Sequence, residues 1–118
     1  SRLKESIYIE QVMVIGADRK FVSALIVPSF PNVQEWARQQ GITETRPQQL
    51  IQDARVLEHF KELIESFNKF FNPVEQIKKF ELLEQEWSVD TGELTPKLSL
   101  KRKVVLEKYR EAIERIYA

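Results

Sequence analysis

Glu10-Gln11-Val12-Met13-Val14-Ile15-Gly16, then Ala17-Asp18-Arg19-Lys20, then Phe21-Val22-Ser23-Ala24-Leu25-Ile26-Val27-Pro28 is the stretch that decides the fold. Two short runs rich in β-branched side chains flank a four-residue joint, the pattern of an antiparallel hairpin. Both runs are nearly continuous in apolar residues. A strand wetted on one face would alternate polar residues more strictly, so the pair is expected to be buried on two faces or to lie centrally in a sheet. Pro28 has no amide to offer the ladder and stops it.

Downstream the apolar period lengthens from two to between three and four. Pro31 to Gly41 reads as a short helix with Val33, Trp36, Ala37 and Gln40 on one face and Gly41 as the residue that ends it. From Pro47 to Phe71 the spacing predicts a second helical stretch, a short turn around Gln48 to Ile51 and then one long helix. Its stripe is Val56, Leu57, Phe60, Leu63, Ile64, Phe67 and Phe70, and Pro73 marks its end. Residues Ile77 to Leu83 read as a third strand. Val104 to Tyr117 gives a last helix through Val105, Tyr109, Ala112, Ile113 and Ile116. The expected fold class is α+β: a small three-stranded sheet, a hairpin plus one later strand, covered by helices in the order β-β-α-α-β-α. No internal repeat or low-complexity tract breaks the chain, and the one candidate hinge is the loop from Ser88 to Leu98.

With 118 residues, one domain with a single core is expected. Lysine and arginine number 18 and so do aspartate and glutamate, so no overall field gathers nucleic acid or an anionic membrane, and attraction must come from a patch. The absence of cysteine excludes disulfides, thiolate metal sites and cysteine nucleophiles, and fits a reducing, cytoplasmic setting. Apolar runs such as Ala24-Leu25-Ile26-Val27 are too short to cross a bilayer, and Ser1 to Glu5 lacks the apolar core of a signal peptide. At most peripheral membrane contact is expected.

Most chemistry is absent from the residue pattern. Glycines at 16, 41 and 92 are too scattered to cradle a phosphate. His59 is the only histidine, with no second one for a metal site or a triad, and reads as a surface or boundary residue of the long helix. Glu58, Glu62 and Glu65 follow helical spacing as a solvated face. Trp36 and Trp87 read as packing residues, and Lys78-Lys79-Phe80 is too slight to be a nucleic-acid platform.

One cluster stands apart. Gly92-Glu93-Leu94-Thr95-Pro96-Lys97-Leu98-Ser99-Leu100-Lys101-Arg102-Lys103 places four cations within seven residues, at the start of a helix whose dipole disfavours them. If Lys97 to Lys101 is extended, alternation sends Lys97, Ser99 and Lys101 to one side and Leu98 and Leu100 to the other, with the leucines as anchors.

The element order, Glu10 to Gly16, Phe21 to Pro28, and Gly92-Glu93-Leu94-Thr95-Pro96 before Lys101-Arg102-Lys103 together resemble the small C-terminal domain of adenylate-forming enzymes, in particular the long-chain fatty acid CoA ligases. The resemblance covers almost the whole chain. It implies that residues 1–118 form the lid of a larger enzyme, starting at Ser1 to Ser6 inside a helix cut from a preceding N-terminal domain. That enzyme would join a fatty carboxylate to ATP, with Mg2+ accompanying the nucleotide, release pyrophosphate, and transfer the acyl group to coenzyme A. ATP and acyl pockets would belong to the N-terminal domain, and the isolated fragment would be inactive. The subgroup resembles Leu-Thr-Pro-Thr-Leu-Lys-x-Lys-Arg-Lys, its first lysine being the adenylation lysine. This chain has Lys97 in place of the second threonine and Ser99 at the lysine position. Three readings stay open: Lys101 or, second, Lys97 substitutes; the register is off by two; or adenylation is poor without help from elsewhere. Arg102 and Lys103 are the expected cofactor-binding cations. The competing reading is a non-catalytic module whose basic loop grips phosphate or RNA.

Overall fold

Val22–Pro28, strand β2, explains the architecture because almost every one of its residues is buried. It lies at the centre of a three-stranded sheet ordered β1-β2-β3, with β1 (Ile9–Ile15) antiparallel to it and β3 (Ile77–Leu82) parallel. The computed structural model describes residues 2–118; Ser1, and with it the beginning of the helix expected from Ser1 to Ser6, lies outside them. Within the described part, Arg2–Glu5 make a single 3-10 turn with Leu3 buried.

Successive side chains of β2 point to opposite faces, so a continuous apolar run serves two cores at once. Ala24 and Ile26 enter one cluster with Val33, Ala37, Leu50, Val56, Phe60 and Ile64. Leu25 and Val27 enter the other with Met13, Trp87, Val105, Ile113 and Ile116. The first face is covered by α1 (Phe30–Gln39), α2 (Pro47–Leu50) and α3 (Ala54–Asn68). The second is covered by α4 (Arg102–Lys108) and α5 (Arg110–Tyr117). Strand β1 alternates more than β2, as befits an edge.

The expected α+β class, three-stranded sheet and element order are all present. Helix α1 ends as its sequence dictates: Gly41 takes φ 80, its amide donates to the Arg38 carbonyl, and Ile42 N–H donates to Ala37 at 2.8 Å. Asp53 caps α3 by accepting from the amides of Arg55 and Val56. The stripe of α3 stops short of expectation, since Phe70 lies beyond the helix and is exposed. The expected last helix is divided at Tyr109, whose φ −106 and ψ 27 leave the helical range, while Tyr109 N–H to Val105 and Ile113 N–H to Tyr109 carry the hydrogen bonding through the bend. At its end the Tyr117 hydroxyl donates to the Phe21 carbonyl at 2.7 Å and pairs with the Ser23 hydroxyl, fastening α5 to the sheet.

Candidate functional site

Between β3 and α4 the chain makes a small arm whose hydrogen bonds begin at its root. The Gln11 side chain accepts from Trp87 N–H at 2.6 Å and donates to Trp87 O at 2.8 Å, imitating a strand partner and fixing the root to β1. Residues 88–94 then fold on themselves: Thr91 N–H donates to the Ser88 hydroxyl, Gly92 N–H to Val89 O, and Leu94 N–H to Ser88 O. Gly92 has φ 96, a conformation that its lack of a Cβ permits.

A short two-stranded ladder follows. Lys101 N–H donates to Glu93 O at 2.7 Å, Leu94 and Leu100 form an antiparallel bridge, and Thr95 N–H donates to Ser99 O at 2.8 Å. At the tip Pro96 and Lys97 occupy a turn closed by Leu98 N–H to Thr95 O at 2.7 Å, and Leu98 follows in the left-handed region at φ 66. The expected alternation from Lys97 to Lys101 is therefore interrupted. Leu98 does not anchor the arm: it is 68% exposed, because the left-handed residue reverses the pleat, while Leu100, with Leu94 opposite it, packs on the second core.

The five residues singled out from sequence are gathered on this arm and the first turn of α4. Lys97 stands at the tip, Ser99 one ladder step below it, and Lys101 at the foot as the N-cap of α4. Ser99 and Lys101 flank the inward Leu100 and are both exposed. Lys97, Lys101 and Lys103 have no ion-pair partner among the described residues. Arg102 differs: its guanidinium donates to Val14 O at 3.0 Å and clamps the far end of the arm onto β1.

Sequence reading missed the side chain that organises the arm. Glu93 is 1% exposed, yet it is charged. Its carboxylate accepts from Ser88 N–H at 3.2 Å, from the Thr91 hydroxyl and from the Lys108 ammonium of α4. Burial pushes its pKa up; the bonds from Lys108, Thr91 and Ser88 outweigh that and hold it at about 2. Lys108 is raised in turn, chiefly by its bond to Glu93. A glutamate between Gly92 and Leu94 carries no local sign of burial, and its partner lies fifteen residues on.

On the opposite face His59 stacks on Trp36 at 4.1 Å between centroids and meets Tyr8 edge-on at 4.6 Å, with its Nε2 buried and unpartnered. It is the boundary residue expected. A broad cleft of about 1130 Å³ runs between β3 and the α4–α5 bend, lined by Leu57, Phe80, Glu84 and Arg115 among others, and the arm does not reach it. Among the described residues no helix is long and apolar enough to cross a membrane, and no three His, Cys, Asp or Glu side chains gather as a metal site. The arrangement offers exposed cations on a braced hairpin, which suits phosphate oxygens and not a divalent metal.

Residues 1–118 match the family model described as AMP-binding enzyme C-terminal domain. Among curated proteins the chain is 33% identical over 110 residues to the long-chain-fatty-acid–CoA ligase FadD15 of Mycobacterium tuberculosis, covering 92% of this chain and 18% of that protein. It is 28% identical over 151 residues to the long-chain-fatty-acid–CoA ligase heimdall of Drosophila melanogaster, covering 97% of this chain and 22% of that one. The chain thus spans about a fifth of the length of the curated relatives it matches. Its fold resembles part of the A-PCP didomain of a carboxylic acid reductase from Segniliparus rugosus in complex with AMP, with a TM-score of 0.72 at 19% identity, covering 98% of this chain and 14% of that one.

Proposed function

The chain belongs to the family of AMP-binding enzyme C-terminal domains, and from that premise we propose that it is the lid of a long-chain fatty acid CoA ligase. In the proposed reaction a fatty carboxylate oxygen attacks the α-phosphorus of ATP and pyrophosphate leaves. The thiol of coenzyme A then attacks the acyl carbon of the acyl-adenylate, and AMP leaves. The first step crowds anions and spreads charge over phosphate oxygens, so a cation brought to the reacting centre lowers its barrier. The second step needs that place vacated for a thiol, which a separately moving domain allows.

The observation that carries this reading is the arm: a braced hairpin presenting Lys97 and Lys101 with no ion-pair partner among the described residues. Lys101 is the first choice to stand in for the lysine that Ser99 replaces. Ser99 and Lys101 are alternate residues around the inward Leu100, roughly 6 to 7 Å apart along an extended chain, a gap that a lysine stem can span. Lys97 is second, because Leu98 turns the chain between it and Ser99. Lys103 and Arg102 are proposed contacts to the nucleotide or coenzyme A, Arg102 only if it leaves Val14. The partner is an N-terminal domain supplying the ATP, acyl and coenzyme A pockets and the ligands of Mg2+, in a cytoplasmic protein with at most peripheral membrane contact.

A stand-alone phosphate- or RNA-binding module is not favoured, since the family match runs over the whole chain. The test is ATP–pyrophosphate exchange by the full-length protein. Lys101→Ala is expected to lower it by about 10² to 10³, the usual loss for a preorganised donor, with Lys97→Ala smaller. Exchange undiminished in the double variant removes both lysines from the step.

A further inference from the structure

We infer that Glu93 is a positioning residue for the adenylation step, acting through the arm and never touching substrate; the inference rests on the proposed ligase function. Four observations converge on it. Its carboxylate is sealed from water and closes the turn of residues 88–91 through Ser88 N–H and the Thr91 hydroxyl. The same carboxylate takes the Lys108 ammonium and so ties that turn to the last residue of α4. Its own carbonyl accepts Lys101 N–H, the first bond of the ladder that carries Ser99 and Lys97. Gln11 and Arg102 hold the two ends of the arm to β1, so Glu93 is the brace between them.

The consequence is geometric. Leu98 at the tip is exposed, and among the described residues of the ladder it is Leu94 and Leu100, lower down, that pack on the core. The direction in which the arm projects its cations is therefore set at its root. A displacement of about 1 Å at a reacting centre costs on the order of a hundredfold in rate. A neutral isostere at residue 93 would keep the fold, because Glu93, Ser88, Thr91 and Lys108 belong to neither hydrophobic cluster, but would loosen the aim of Lys101. Coenzyme A transfer, for which the place taken by Lys101 is vacated, would be spared.

Glu93→Gln in the full-length protein tests this with three readouts. Peptide-level hydrogen exchange over residues 94–101 is expected to quicken about tenfold or more, and by more than exchange in β2 and α3, which only the global loss of stability moves. ATP–pyrophosphate exchange is expected to fall about 10- to 100-fold. Coenzyme A transfer from supplied acyl-adenylate is expected to stay within about twofold. Lys108→Met should reproduce all three effects, Lys108→Arg should restore them toward the unsubstituted values, and Glu93→Gln combined with Lys108→Met should cost little beyond either alone. Unchanged exchange over residues 94–101, undiminished adenylation, or equal losses in both half-reactions would each overturn the inference. If the unsubstituted protein shows no ATP–pyrophosphate exchange, the ligase reading itself fails, and the bracing role is then decided by the amide exchange of residues 94–101 alone.

Discussion

The two faces of the sheet are held by different forces. Under α1 and α3 the core is hydrocarbon and aromatic, and the imidazole of His59 beside it is held toward neutrality by burial. Under α4 and α5 the core is as apolar, but beside it lies a carboxylate that burial does not neutralise, because Lys108, Thr91 and Ser88 satisfy it. Hydrophobic attraction has no direction, whereas a hydrogen-bonded charge fixes distances and angles. Both cores therefore confer stability, and the second face also sets the geometry of what projects from it.

The largest expected effect would break the first face. Phe60→Ala empties a fully buried site between α3 and the sheet, and urea unfolding should show a loss of about 3 to 5 kcal/mol. A loss no greater than that of a surface substitution would mean that apolar burial under α3 does not stabilise the first face.

The second prediction sharpens the contrast through pH. The Glu93 pKa is about 2 when folded against an ordinary 4.5, so its stabilisation is fully present above 4.5 and is lost as pH falls toward 2. At neutral pH Glu93→Gln should cost about 1 to 3 kcal/mol, and the gap from the unsubstituted protein should close on acidification over that window. A gap that stays constant from neutral pH to pH 2 would mean the charge is not what the fold uses.

A third test concerns the tip. A leucine in the left-handed region is disfavoured by about 1 to 2 kcal/mol, and an exposed side chain recovers little of that by packing. Leu98→Asn should raise stability by about 1 kcal/mol, read as an increase in Tm, since asparagine tolerates this conformation. An unchanged or lowered Tm would mean that the leucine is not strained. Should adenylation fall while Tm rises, the leucine belongs to the docking of the lid.

The smallest effect returns to the first face. Burial lowers the His59 pKa from 6.5, with Glu62 opposing, so the folded state binds a proton less readily than the unfolded one. Its stabilising share is present above 6.5 and declines as pH falls below it. His59→Phe should abolish that decline between pH 6.5 and the lower folded value while keeping the stack on Trp36. An equal decline in the variant would assign it to other groups.

Much of this was legible in the residues, for reasons that also explain what was not. The apolar run of β2, the stripe of α3 and the glycine after α1 are local signals with a fixed period or position, and each produced its element. The arm was visible as a cluster of cations between Gly92 and the last helix. Its interior was not, because the extended reading of Lys97 to Lys101 depended on Leu98 keeping an ordinary backbone, and the turn at Pro96 placed it elsewhere. The Glu93–Lys108 and Gln11–Trp87 contacts join residues far apart in sequence and leave no trace in spacing. The parallel pairing of β3 escaped for the same reason.

That parallel pairing also shapes how the molecule assembles. β1 and β2 meet across a six-residue connection, Gly16 to Phe21, whereas β3 can join β2 only after the entire excursion from Ser29 to Gln76 has been brought back. Closing a loop that long delays its contacts without greatly weakening them once made, since the entropy of closure grows only with the logarithm of length. The hairpin would nucleate early and the third strand would zip in late, so newly made copies would pass through a stage in which one flank of β2 stands open to a stray strand from a neighbour.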